Sequence, residues 1–303
     1  MKSIKLACAA IAAAFITAAS ATPSFSQSDR YVSATGSDSN ACTITAPCAT
    51  MTGAQRVTPV EGIIHCLNTN NYGSVTILTS ITIDCSGTNA VIGPVVINTP
   101  GIIVRIRGVT MGPNLVGSNI DFQKGGALII ENCNIFDSFN GIMFEPSSSA
   151  RLYVSKSTIH DNEMGINIAP PPGGAALAVI DDVKLIQNGG FGLLAQGSLG
   201  GSVNVSVRDS VASYNGAAGF SAATGGGSVQ NVLMKIERSE SSHNSSDGIR
   251  ANGTSVFVAG STVMDNQGIG FGTYSGGTIT SFGDNINVLN QTPGAPTGSA
   301  GFM

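Results

Sequence analysis

The chain has no tryptophan and only three histidines, and Asp, Glu, Lys and Arg make up just 11% of its 303 residues. Each scarcity excludes something. With a formal net charge of −4, the chain lacks the basic surplus that nucleic acid or an anionic membrane demands, and neither is expected as a partner. His160 and His243 fall in different repeat units, ~14 Å apart along a stack of strands, and His65 stands alone. They cannot share a metal ion, so no metal site and no cofactor is expected. Past the N-terminus no apolar run approaches the ~20 residues of a membrane-spanning helix, so no membrane insertion is expected.

The N-terminus reads as an export signal. Lys2 and Lys5 precede an apolar stretch over residues 6–19, and Ala19-Ser20-Ala21 forms a cleavage site of small residues. A second cut near Gln27 fits as well, which sets residues 1–27 aside and makes the destination periplasmic or extracellular. An oxidising destination permits disulfides. Cys42 and Cys48 flank a short loop that a bridge can close, and Cys66 and Cys85 are placed as neighbours on adjacent rungs. Cys133 is left over. Its matching positions in later units are Ser157, Val183, Ser210, Ser239 and Ser261, a mostly small inward set, so it reads as a buried free thiol.

What the chain does have is a repeat. Anchors at Ser138, Asn162, Asn188, Asn215, Asn244, Asn266 and Asn290 are spaced 24, 26, 27, 29, 22 and 24 residues apart, each followed by a glycine within four residues. A period in the twenties marks a solenoid, in which each unit buries its apolar face only by stacking on the next. Before the anchor Val203, Val205 and Val207 alternate with polar residues; after it Ile166 and Ile168 flank Asn167. These are half-buried strands joined by bends. Stacked Asn side chains can bond up and down a column, Asn tolerates left-handed backbone, and glycine supplies a bend. The expected division is a leader over 1–27, a cap segment over 28–73, a right-handed parallel β-helix over 74–291 and a flexible tail over 292–303. A short helix over residues 50–57 sits where the first rung needs covering.

The stretch from Tyr31 to Asn40, followed by Cys42 and Ala46-Pro47-Cys48, resembles the N-terminal segment of exported right-handed parallel β-helix proteins of the pectin-lyase-like superfamily. Val75-Thr76-Ile77 and the run from Ser80 to Cys85 resemble the first coils of a bacterial subgroup of that superfamily. The resemblance implies an all-β right-handed parallel β-helix with a small disulfide-bearing cap. It spans pectate lyases, polygalacturonases, epimerases, adhesins and phage tailspikes, so it implies a fold rather than a reaction.

Glycan cleavage by hydrolysis needs two carboxylates across one bond. Asp181 and Asp182, with Asp209 one coil later, are the best candidates and resemble the aspartate cluster of polygalacturonases. The His-Gly and Arg-x-Lys elements of that family are absent. A lyase would need a basic residue beside carboxylate-held Ca²⁺. The same residues also read as a structural ladder: Lys156, Asp182, Asp209, Arg238 in one column and Asp181, Arg208, Glu237 in its neighbour, with compensating charges. Outward positions of the second strand, Asn167, Gln196, Ser221, Arg250, Asn252 and Tyr274, form a polar face suited to a polysaccharide. The sequence therefore favours a non-catalytic glycan-binding or matrix protein. The alternative is a polysaccharide lyase or hydrolase acting on an acidic polysaccharide.

Overall fold

A computed structural model describes residues 29–198, 200–224 and 231–301. Three parallel sheets run the length of the molecule. The first has 12 strands, from Asp29–Val32 to Gly298–Ser299. The second has nine, from Val91–Ile92 to Ile286–Val288, and the third also has nine, from Val75–Ile77 to Phe271–Tyr274. The chain visits them in rotation, making a solenoid of about nine turns. One coil shows the plan. Ser149–Ser155 lies in the first sheet, Thr158–His160 in the second and Met164–Ile168 in the third. The loop over 169–174 then returns the chain to the first sheet at Ala175–Asp181.

The period-two pattern decides what faces inward. In the third sheet Ile142, Ile166, Leu193, Phe220, Ile249 and Phe271 stack in register, all buried. Burying each such side chain contributes about 1.5–3 kcal/mol. In the first sheet Leu152, Ala178, Val205, Met234 and Val256 do the same.

The anchor column is a hydrogen-bonded ladder. From Asn162 to Asn266 each Asn donates its backbone N–H and its Nδ2 to the Oδ1 of the Asn one coil on, at 2.7–3.2 Å. The left-handed backbone lies one residue earlier than the sequence reading placed it. Asp161, Gln187, Tyr214, His243 and Asp265 have φ of 54°, 54°, 57°, 55° and 53°. This turn swings the following Asn inward. The glycines serve another purpose, since the first six of them keep negative φ. A Cβ on Gly165 would meet Gly192 O at 2.5 Å and Asn188 Nδ2 at 3.1 Å. They are needed because the ladder of the next coil passes so close.

The parallel column at the other corner contains Cys133, Ser157, Ser210, Ser239 and Ser261. Each Ser Oγ donates to a carbonyl of its own coil and accepts the backbone N–H of the residue one coil back. Val183 interrupts the series. Cys133 is buried and free, its Sγ directed at Ile106 O and Glu131 O. Burial pushes its thiol up to about 11, so it stays protonated and unreactive.

The N-terminal end is closed by the helix Met51–Val57. Thr50 Oγ1 accepts from Gly53 N–H, and Asp38 in turn accepts from the Ala49 and Thr50 backbones. Disulfides join Cys42 to Cys48 and Cys66 to Cys85, each with Cα atoms 4.7 Å apart. Asp29–Val32 and Gly62–Cys66, although within the expected cap, already pair as the first two rungs of the first sheet. At the far end Gly298–Ser299 pairs with Thr280–Ser281. The leader over 1–27 lies outside the described residues. No helix among the described residues is long and apolar enough to cross a membrane.

Candidate functional site

The three candidate aspartates cluster at the corner between the first and second sheets. Asp181 ends its strand. Asp182 follows in left-handed backbone, φ 55°, and Asp209 takes the same position one coil on, φ 49°. Lys156 and Arg238 occupy the matching corners, with φ of 49° and 46°. A charged side chain at a left-handed corner points outward because the residue after it, Ser157, Val183, Ser210 or Ser239, turns in.

Two of the three aspartates are already engaged. Arg208 donates Nε and Nη2 to the two oxygens of Asp181, both at 2.9 Å. Arg238 does the same to Asp209 at 2.9 and 2.8 Å, and lies 3.8 Å from Glu237. Such paired forks are the strongest geometry a guanidinium offers a carboxylate. The Arg238 hydrogen bonds hold Asp209 below the usual carboxylate range, and those to Asp181 raise Arg208. A carboxylate held ionised in this way is a poor general acid. Asp182 is exposed and has no ion-pair partner among the described residues.

The pairing belongs to a longer series. In register the column runs His65, Asp84, Arg107, Glu131, Ser155, Asp181, Arg208, Glu237, and Arg107 meets Glu131 at 3.2 Å. Opposite charges alternate along a stack of parallel strands, which fixes register. No group of three or more His, Cys, Asp or Glu among the described residues is arranged to hold a metal ion.

The six residues of the expected binding face divide into two columns on the third sheet. Asn167 aligns with Leu194, Ser221 and Arg250; Gln196 aligns with Ala223, Asn252 and Tyr274. The first column faces outward yet is covered: Asn167, Leu194 and Ser221 are buried. Gln196 Nε2 donates to Asn167 Oδ1 at 2.9 Å. Arg250 is held by Asp247, a buried carboxylate that also accepts from the Tyr274 hydroxyl at 2.9 Å. Burial and that bond to Asp247 raise the Tyr274 hydroxyl above its ordinary value.

A concavity lies on the first sheet, and sequence reasoning did not single it out. A groove of about 640 Å³ crosses the starts of its strands, lined by Arg151, Leu177, Asn204, Asn231 and Leu233 among others. A second hollow of about 530 Å³ shares Leu233 and includes Phe257 and Phe282. Arg151 is exposed and has no ion-pair partner among the described residues. Tyr153 and Leu177 are 39% and 45% exposed. Asn231 Nδ2 donates to the carbonyls of Gly197 and Gly201, tying a neighbouring loop to the groove wall. Its Oδ1 is buried without a partner among the described residues. The available signal was Tyr153, Leu177, Val179, Leu233 and Phe257 at outward strand positions where a purely solvated face would be polar.

No protein-family model and no curated protein matches the sequence. Among solved structures the chain is similar to pectate lyase Pel9A, with a TM-score of 0.60 and 16% identity over 89% of this chain and 79% of that one. It is also similar to a rhamnogalacturonan lyase, with a TM-score of 0.42 and 14% identity over 80% of this chain and 74% of that one. The fold of this chain is a parallel β-helix, and it is the fold that the chain shares with pectate lyase Pel9A.

Proposed function

We propose that this protein is an exported, non-catalytic β-helix that binds glycan chains in the groove on its first sheet. The groove itself carries the reading. It is open and elongated, with apolar side chains in its floor and Arg151, Asn204 and Asn231 along it. Sugar rings present apolar C–H faces and a rim of hydroxyls, which such a surface complements. The bidentate Arg pairs on Asp181 and Asp209 support a structural role for the carboxylate cluster. Two disulfides agree with maturation outside a reducing cytosol. The signal-like leader agrees with export to the periplasm or beyond.

One observation favours the second reading, a polysaccharide lyase or hydrolase using Ca²⁺ if a lyase: Asp182 keeps an exposed, unpaired carboxylate one coil from Lys156. The first test is affinity electrophoresis through gels containing neutral and acidic polysaccharides. Retardation of the wild-type protein, lost in Leu177→Asp and weakened in Arg151→Gln, is expected. Equal retardation of all three proteins would place binding elsewhere; no retardation in any gel would refute the reading.

A further inference from the structure

The Arg250 site stands on a different sheet from the groove and is independent of it. Five observations converge there. First, Asp247 is a carboxylate only 4% exposed, and it accepts from Ile269 N–H at 3.0 Å, Tyr274 Oη at 2.9 Å and Arg250 Nε at 2.8 Å. Second, Arg250 Nη2 donates to Ser246 Oγ at 2.9 Å, so one edge of the guanidinium is fully spoken for. Third, its Cζ lies over two aromatic rings, 5.9 Å from the Phe191 centroid and 5.2 Å from that of Tyr274. Fourth, Gly272 follows Arg250 in its column, and a Cβ there would lie 2.6 Å from Asp247 Oδ2, so the space is reserved for the pair. Fifth, Nη1 has no acceptor among the described residues, although the side chain is 27% exposed.

A guanidinium engaged along its Nε and Nη2 edge and set over two rings keeps its Nη1 and Nη2 end for a ligand. We propose that Arg250 is an anion-binding residue that receives a carboxylate or sulfate group through this open fork. Its orientation is fixed in advance, so little side-chain freedom is lost on binding. The three donors on Asp247 spread the charge of that carboxylate and leave Arg250 to act outward. Of the acidic groups further along this face, Asp121 and Glu145 lie four or more rungs away, ~19 Å or beyond at the strand spacing, and Glu163 lies three rungs away, ~14 Å, all beyond a Debye length. The adjacent aromatic rings favour a ligand whose anionic group is borne on a ring.

The test uses the full chain with ¹⁵N-labelled arginine, titrated with sodium acetate and sodium sulfate against sodium chloride at constant ionic strength. A saturable shift of the Arg250 Nη resonances with acetate, sulfate or both, and none with chloride, is the expected result; the two salts distinguish a carboxylate site from a sulfate site. Arg250→Lys should weaken binding about tenfold, because an ammonium cannot present a fork while pairing with Asp247. Arg250→Gln leaves Asp247 buried without its cation and can fail to fold, so Asp247→Asn/Arg250→Gln serves as the folded null and should give no saturable response in its remaining arginine signals. Identical, non-saturating shifts with all three salts would overturn the proposal, as would acetate or sulfate binding that survives in the double variant. Neither outcome bears on the groove.

Discussion

Replacing Asn215 with alanine removes the middle of the Asn ladder, and the cost can be worked out bond by bond. Asn215 Oδ1 accepts the Asn188 N–H at 3.1 Å and Asn188 Nδ2 at 3.0 Å. Its Nδ2 donates to Leu185 O at 3.0 Å and to Asn244 Oδ1 at 2.9 Å. After truncation Asn244 Oδ1 still accepts the backbone N–H of residue 215, and Asn188 Nδ2 still reaches Ile159 O. The Asn188 N–H is left buried with no acceptor, which costs about 1–3 kcal/mol. Losing the three remaining bonds adds about 1 kcal/mol each, for a destabilisation of about 4–6 kcal/mol. Denaturant unfolding followed by circular dichroism measures it. Asn290→Ala, at the end of the ladder, serves as the milder comparison. If Asn215→Ala unfolds within about 1 kcal/mol of the wild type, the ladder is not what holds adjacent coils in register.

Cys133 should resist iodoacetamide at pH 8 until the protein is denatured, and Cys133→Ser should be well tolerated because Ser fills the same column in later coils; rapid native alkylation counts against both. Removing the Cys66–Cys85 bridge by double serine substitution should cost about 3 kcal/mol on the chain-entropy account of a loop this long, read as a fall in denaturation midpoint. Asp209 is held below its unfolded-state pKa by Arg238, so its contribution is present above the ordinary carboxylate range and lost as pH falls through it. Asp209→Asn should therefore flatten the acid limb of a stability-against-pH curve. Glu145 runs the other way: burial and then Asp121 raise its carboxyl, so stabilisation exists below its ordinary pKa and is lost as pH rises. Glu145→Gln should stabilise the protein at pH 7, and a destabilised variant would contradict that sign.

The periodic features were legible in the sequence because each is written several times. The Asn column, the Ser and Cys133 column, the inward apolar stacks and the alternating Asp181, Arg208, Glu237 series all depend only on spacing. The Cys42–Cys48 bridge followed from the short loop it closes, and Cys66–Cys85 from rung placement. What escaped depends on contacts between coils that spacing does not express. Gly165 looks like a bend residue, yet its constraint is an oxygen 2.5 Å from where its Cβ would be, one coil away. The left-handed corners fell on Asp161, Gln187, Tyr214 and His243, four side chains with no shared chemistry. Asp247 reads as a surface acid until Ile269, Arg250 and Tyr274 are brought around it. The groove escaped because Leu177 and Leu233 are unremarkable singly and become a surface only when stacked.

The most direct test takes a polysaccharide that retards the wild-type protein and incubates it with an equal amount of protein, with and without Ca²⁺. Near-ultraviolet absorbance, reducing ends and chain length are then followed together, with Asp182→Asn in parallel. A lyase produces unsaturated ends that absorb, a hydrolase produces reducing ends, and a binder produces neither. Saturable binding with the glycan recovered intact is the predicted result. New ends that form with the wild type and disappear in Asp182→Asn would contradict it and make the corner carboxylates a catalytic site.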